Sequence, residues 1–144
     1  MTSPDPTIRL VAAAREARSS AYAPYSGFPV GAAVLDDRGD IHAGANVENA
    51  AYPLVSCAER SAVLRAVGEG ARRIVAVAIV GAQDRPTWPC GACRQILNEF
   101  GPEMRVIVEG PPGTRTERPL ADLLPEAFGP NAVSYTHLTL PTKA

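Results

Sequence analysis

The sequence has no block of basic residues and no long hydrophobic run. Its net charge is −1, with 14 Lys and Arg against 15 Asp and Glu along 144 residues, whereas a nucleic-acid-binding surface usually carries a basic patch. The longest apolar run, Ile74–Val80, is about a third of the length of a membrane-spanning helix. The first seven residues are polar and proline-rich, unlike the basic and then apolar start of a signal peptide. We therefore expect a soluble cytoplasmic protein with no nucleic-acid or membrane partner.

Cysteine is also scarce, and its number is odd. The three cysteines are Cys57, Cys90 and Cys93. An odd count in a chain with no secretory signal disfavours a disulfide framework and favours metal ligation or redox chemistry. Apolar residues make up 46% of the chain and charged residues 20%, which is ordinary for a folded globular domain of this length.

The apolar periodicity predicts one α/β domain built around a mixed sheet. Asp5 followed by Pro6 is typical of a helix start, and the polar turn after residue 35 indicates a hairpin. The predicted elements are a helix over 6–21, strands over 30–35 and 41–47, a helix over 57–67, a strand over 74–80, a helix over 90–100, a strand over 106–108 and a helical turn over 120–124. The loop over 111–119 leaves room for a short edge strand. The strand–helix–strand order over 74–108 predicts a parallel pair.

The C-terminal residues do not continue this pattern. We assign 1–132 to the single domain and 133–144 to a non-native tail, because the run from Ser134 resembles translated sequencing-adapter tails. An ordinary exposed terminus is the alternative interpretation.

The cysteine spacing indicates a metal site. Cys90 and Cys93 are three residues apart at a predicted helix start, so both sulfurs lie on one face, and the helix N-terminus favours thiolates. Cys57 begins the preceding predicted helix. Three thiolates leave one position of a tetrahedral zinc ion open for water, as in catalytic rather than structural sites. Glu59, two residues after Cys57, is placed to carry protons to and from that water.

Longer motifs give the sequence a family resemblance. Cys57-Ala58-Glu59 together with the PCGAC run at 89–93 resembles the paired signature of the zinc nucleoside deaminases. Four segments are similar to the small homotetrameric cytidine deaminases: AYAPYS at 21–26, FPVGAA at 28–33, NVENAAY at 46–52 and CGACRQ at 90–95. The resemblance covers roughly residues 8 to 130.

The resemblance implies a three-layer α/β/α fold with a mixed five-stranded sheet, one Zn²⁺ per subunit and a homotetramer. It implies hydrolytic deamination of cytidine and 2′-deoxycytidine in pyrimidine salvage. Glu59 would be the catalytic residue, and Cys57, Cys90 and Cys93 would be the metal ligands.

It also implies roles for residues around the metal. Phe28 would stack on the pyrimidine, while Asn46 and Glu48 would hydrogen-bond the ribose hydroxyls. Arg60 matches an arginine that hydrogen-bonds the ligand thiolates and offsets their charge. The remaining matches are to positions that contribute to a neighbouring subunit's site, and these are Ala50, Tyr52 and Phe128.

Several alternatives stay open at this stage. Cys90 and Cys93, with Trp88 just upstream, are also compatible with a redox pair. A closed structural zinc site would need a fourth ligand, for which His42 is the candidate outside the tail, although we expect it to be exposed on the hairpin. A deaminase of a nucleoside antibiotic such as blasticidin S, a nucleic-acid-editing deaminase and a zinc-stabilised binding module are the other candidates.

Overall fold

A mixed five-stranded sheet forms the centre of the fold in the computed structural model, which describes residues 5–130. The strands are ordered β2-β1-β3-β4-β5, with β3 and β4 parallel and all other neighbours antiparallel. The elements are α1 (Pro6–Arg18), β1 (Gly31–Asp36), β2 (Ile41–Ala45), a 3-10 turn (Tyr52–Leu54), α2 (Ala58–Gly68), β3 (Ile74–Val80), α3 (Gly91–Phe100), β4 (Arg105–Glu109), β5 (Arg115–Pro119) and α4 (Leu120–Leu123). The predicted α/β class, mixed sheet and parallel pair are confirmed.

Helices cover both faces of the sheet, which gives the three layers implied by the resemblance. On one face, Leu10, Val11 and Ala14 of α1 pack in a cluster that includes Ala78 and Ile107. On the other face, α2 and α3 cover a larger cluster of buried apolar side chains, among them Ala32, Val34, Ala62, Val63, Val77, Ile79, Leu97, Val106 and Val108. Alternate residues of a strand point to opposite faces, so neighbours such as Ala33 and Val34 belong to different clusters.

The predicted element boundaries are mostly correct, and the differences have local causes. Helix α1 ends at Arg18 rather than Ala21, and the Ser19 hydroxyl donates to the Glu16 carbonyl at 2.7 Å, the kind of side-chain bond that competes with helix continuation. The edge strand within 111–119 is present as β5. Strand β3 has the predicted bounds, but Val75 is exposed, so that strand is not buried along its whole length.

A cluster of charged and polar side chains, with Asp36 and His42 buried, closes the hairpin end of the sheet. His42 is only 5% exposed, and its ring lies between Asp36, at 2.9 Å from Nε2, and Glu69, at 2.5 Å from Nδ1. Arg38 also donates to Asp36. The prediction that His42 is exposed was wrong, because the end of α2 brings Glu69 over the hairpin.

The opposite end of the sheet gathers the segments that carry the predicted site. Gly31, at the start of β1, pairs with Ala45 at the end of β2 and with Val80 at the end of β3. The chain leaves β2 toward α2 and leaves β3 toward α3 at this same end. The first turns of α2 and α3 are therefore brought to one place.

Within residues 5–130, no helix has the length and apolarity needed to cross a membrane. The domain boundary predicted at 132 and the tail at 133–144 lie outside the described residues.

Candidate active site

The three cysteines meet at the first turns of two helices. Cys57 directly precedes α2, Cys90 directly precedes α3, and Cys93 lies in the first turn of α3. Their sulfur atoms all lie within 4.8 Å of one another. They are the only group of three or more potential metal-ligating side chains found among residues 5–130. The sequence-based placement of the cluster is confirmed.

The cluster favours ionisation of one thiol first. Hydrogen bonds from the Cys93 and Cys90 thiols, together with the charge of Arg60, lower the pKa of Cys57 to about 6. The pKa of Cys93 is raised, because its thiol is engaged by Cys57 and lies in the protein interior beside the charge of Glu59. Two helix N-termini also point their unpaired N–H groups at the cluster, which favours negative charge there.

This donor set fits zinc. Thiolate is the ligand that structural and catalytic zinc sites share, with Zn–S distances of about 2.3 Å. Tetrahedral geometry then requires sulfur–sulfur separations of about 3.8 Å, which is compatible with the observed cluster. His42 does not belong to the cluster, since its ring is held by Asp36 and Glu69, so the fourth protein ligand of a closed structural site is not supplied by that residue.

Glu59 is a buried carboxyl group beside the thiols. It lies in the first turn of α2 and is 5% exposed. Burial raises the pKa of Glu59 to about 7, and the neighbouring Cys57 adds to the increase. A carboxyl group with a pKa near neutrality both accepts and donates protons readily at physiological pH.

A cavity of about 290 Å³ is lined by Cys57, Cys90 and Glu59, while Cys93 lies buried beside it. This volume is at the lower end of the range typical of small-molecule sites. The predicted site residues that line it are Phe28, Asn46, Glu48, Cys57, Glu59 and Cys90. Residues far apart in the sequence thus form a single concave site with an apolar wall and convergent polar groups.

Asn46 and Glu48 hold the loop that carries Phe28. The Asn46 side chain accepts from Val30 N–H at 2.8 Å and donates to the Phe28 carbonyl at 2.9 Å. The Glu48 carboxylate accepts from the backbone N–H groups of Tyr25 and Ser26 at 2.9 and 3.1 Å. The hydrogen bond from the Ser26 hydroxyl, followed by these backbone bonds, lowers the pKa of Glu48.

The other predicted site residues lie outside this cavity. Arg60 is half-buried on α2 and acts on Cys57 through its charge. Tyr52 is 71% exposed and lines an adjoining cavity, while Ala50 is exposed nearby. Phe128 is 64% exposed, and its carbonyl accepts from Gln95 and Asn98 of α3.

Sequence reasoning missed two polar residues of the cavity wall. Ser26 and Thr87 both line it, and neither was singled out as a site residue. Thr87 Oγ1 accepts from Ala82 N–H at 2.9 Å, at the end of β3. The sequence did offer one indication that Thr87 is near the site, because it lies three residues before Cys90 on the connection into α3.

Comparisons with known proteins agree with the site. Residues 5–109 match the family model described as the cytidine and deoxycytidylate deaminase zinc-binding region. The chain is 45% identical over 128 residues to a cytidine deaminase of Sporosarcina psychrophila, covering 88% of this chain and 94% of that protein. It is 47% identical over 120 residues to that of Halalkalibacterium halodurans, covering 83% and 91%.

Solved structures give the same result. The crystal structure of cytidine deaminase from Burkholderia pseudomallei superposes with a TM-score of 0.80 at 44% identity, covering 89% of this chain and all of that one. The description of the family model names zinc binding, which the three-thiol cluster fits. The chain belongs to the cytidine and deoxycytidylate deaminase zinc-binding family.

Proposed function

We propose that this chain is a zinc-dependent cytidine deaminase, which hydrolyses cytidine and 2′-deoxycytidine to the corresponding uridines and releases ammonia. The observation that carries the proposal is a single cavity lined by the buried Glu59 and by Cys57 and Cys90, two members of the three-thiol cluster. The names of the relatives support the substrate class. No relative reported above supports the alternative of a blasticidin-type substrate.

The reaction replaces the amino group on C4 of the pyrimidine with oxygen from water. Zinc held by Cys57, Cys90 and Cys93 would supply the Lewis acidity that makes a water molecule nucleophilic at neutral pH. Glu59 takes a proton from the water and delivers it to ring N3. Glu59 then carries the second water proton to the departing amine, so that ammonia leaves and the uridine carbonyl remains.

Burial of Glu59 suits this shuttle. Its raised pKa lies near the operating pH, where a single carboxyl group transfers protons in both directions with little penalty. Among residues 5–130, Glu59 also forms no salt bridge with a cationic side chain. A salt bridge would hold Glu59 permanently ionised and unable to donate.

The cavity wall provides groups for recognising a nucleoside. Phe28 is proposed to stack on the pyrimidine, since its ring is 39% exposed and lines the cavity. Asn46 and Glu48 are proposed to bind the ribose hydroxyls. After its two hydrogen bonds to the loop, the Asn46 amide retains one N–H and one lone pair.

We further propose that the chain is a homotetramer in which neighbouring subunits complete the sites. Several large apolar side chains near the cavity mouth are more than half exposed, and a single copy leaves them in water. They are Tyr22, Tyr25, Tyr52 and Leu54, with Phe128 exposed as well. Ala50, Tyr52 and Phe128 are the residues proposed to reach a neighbouring subunit's site.

The three free thiols also support a cytoplasmic location, where thiols stay reduced.

The test combines ultraviolet absorbance and ammonia release on mixing the zinc-loaded protein with cytidine. The wild-type protein should convert cytidine, and Glu59→Gln should lose about 10²- to 10⁴-fold in kcat, the usual contribution of a general acid–base. Glu103→Gln is the matched control, because Glu103 is exposed and outside the cavity.

Two results would decide against the proposal. A zinc-loaded wild-type protein that leaves cytidine unchanged would rule out the activity. A Glu59→Gln variant as active as the Glu103→Gln control would rule out the proton shuttle.

A further inference from the structure

Ser26 stands between the two residues proposed to recognise ribose and base. Its hydroxyl donates to Oε2 of Glu48 and accepts from the backbone N–H of Phe28 at 3.0 Å. One side-chain atom therefore joins the carboxylate proposed to bind the sugar to the backbone of the ring proposed to stack on the base.

The rest of the loop depends on the same carboxylate. The N–H groups of Tyr25 and Ser26 both donate to Oε1 of Glu48, so one carboxylate accepts three hydrogen bonds from two adjacent residues. Gly27 follows with φ of +67°, a conformation that glycine adopts without strain. This turn directs the chain back so that the Phe28 N–H reaches the Ser26 hydroxyl.

Ser26 and Glu48 also lie on a wall between two cavities. Both residues, with Val55, line the cavity that holds Glu59 and the thiols. The same three line a second cavity, also of about 290 Å³, on the side of Tyr25 and Tyr52. The Ser26–Glu48 hydrogen bond thus lies where the two cavities adjoin, so it helps to fix a carboxylate that both cavities share.

We propose that Ser26 is a positioning residue, which fixes the Glu48 carboxylate for the ribose hydroxyls. This inference rests on the proposed function. A carboxylate that keeps only its two hydrogen bonds on Oε1 is free to turn Oε2 away from the sugar. Loss of the Ser26 hydroxyl also leaves the Phe28 N–H without its acceptor, but Asn46 still holds the backbone of Phe28 and Val30, so stacking on the base should change little.

The experiment compares Ser26→Ala, Ser26→Thr and the wild-type protein. Cytidine gives kcat and KM, and the product uridine and its 2′,3′-dideoxy analogue serve as competitive inhibitors that differ only in the 2′- and 3′-hydroxyls. Ser26→Ala should raise KM for cytidine and the inhibition constant of uridine by about tenfold, the effect of one hydrogen bond to a charged group. The inhibition constant of dideoxyuridine should change by less than about threefold. Ser26→Thr, which keeps the hydroxyl, should restore most of the affinity.

Two controls separate positioning from general damage. Ser19→Ala removes an exposed hydroxyl just after α1, at a residue that lines neither cavity, and should leave all constants unchanged. In the Glu48→Gln background, Ser26→Ala should add less than about twofold to KM, because both changes remove the same interaction. If Ser26→Ala does not fold, Ser26→Cys provides the same test, since a thiol is a weak donor and acceptor.

Each outcome bears on the inference. Selective loss of uridine affinity with rescue by threonine supports it. Unchanged constants in Ser26→Ala, equal losses for both inhibitors, or additive effects with Glu48→Gln would overturn it while leaving a wild-type deaminase intact. A wild-type protein that neither converts cytidine nor binds uridine would overturn the proposed function and this inference together.

Discussion

Cys57 and Cys90 hold equivalent positions, each being the residue that immediately precedes the first turn of a helix. Their sulfurs meet although they are 33 positions apart in the sequence. This is because β3 lies between the two helices in the chain and both connections leave the sheet at one end. A helix start offers unpaired N–H groups that stabilise thiolates. The cluster is therefore held by the ends of rigid elements rather than by flexible loops.

This geometry predicts that replacing one thiol removes the metal and lowers stability. Cys90→Ala should reduce zinc content from one ion per chain to near zero, since two thiols do not retain zinc during dialysis against a chelator. Its melting temperature should also fall, because ligand binding to the native state contributes to stability. Elemental analysis after dialysis and thermal melts measure the two effects. A Cys90→Ala protein with a full zinc complement would show that the ligands are misassigned.

The control for this experiment is the wild-type protein from which a chelator has removed the zinc. If loss of the metal is the reason for the lower melting temperature, removing zinc from the wild-type protein should lower it by a similar amount. A Cys90→Ala variant that melts well below the zinc-free wild-type protein would instead indicate damage to the packing of α3.

The buried His42 predicts a pH-dependent contribution to stability. Burial alone lowers the pKa of a histidine, but hydrogen bonds to Asp36 and Glu69 outweigh it and raise the pKa of His42. The stabilisation is fully present below the unfolded pKa of about 6.5 and is lost as the pH rises through the higher folded pKa. His42→Gln should therefore destabilise the protein more at pH 6 than at pH 9.

Urea unfolding at several pH values measures this difference. The stability of His42→Gln is subtracted from that of the wild-type protein at each pH, which removes the pH dependence of the cysteine ligands common to both. A difference that stays constant from pH 6 to pH 9 would contradict a charged His42 in the native state.

Asp36 contributes to the pH dependence of stability at acidic pH. Burial raises the pKa of a carboxyl group, but hydrogen bonds from His42, the backbone of Asp40 and Arg38 lower the pKa of Asp36. Its contribution is therefore present above the unfolded pKa of about 3.9 and is lost as the pH falls through the folded value. The His42 and Asp36 contributions thus overlap between about pH 4 and 6.5, where the ion pair is most stable.

Close packing of α1 on β1 predicts an intolerance to side chains at Gly31. A Cβ atom there would overlap the Ala14 carbonyl and the Arg18 N–H group. Gly31→Ala should lower the free energy of unfolding by about 1–3 kcal/mol, the usual cost of overpacking. Gly68→Ala is the matched control, because a Cβ at Gly68 would meet no atom within 4 Å, and alanine favours a helix by up to about 1 kcal/mol. Equal effects of the two substitutions on denaturant midpoints would contradict this account.

Local patterns in the sequence predicted the elements and the ligands, and long-range contacts account for what was missed. Strand β3 and the start of α3 follow from apolar runs and from the spacing of Cys90 and Cys93. The burial of His42 depends on Glu69, 27 residues away, which no local pattern reveals. The hydrogen bonds of Glu48 to the loop over 25–26 likewise span more than 20 residues. Motif matching indicated Glu48 as a site residue but did not indicate its link to Ser26.

The exposed apolar residues near the cavity predict assembly. Leu54 and Tyr52 are 67% and 71% exposed, and burial of such side chains at an interface stabilises it by about 1.5–3 kcal/mol each. Light scattering after size exclusion should give four chain masses for the wild-type protein.

Leu54→Glu should shift the distribution to smaller species, because a charge would be buried without a partner. Ile8→Glu is the matched control, because Ile8 on α1 is also more than half exposed. The Leu54→Glu protein should also lose cytidine affinity if a neighbouring subunit completes the site. A monomeric Leu54→Glu protein with wild-type kinetics would show that one chain supplies the whole site and would contradict a contribution from a neighbouring subunit.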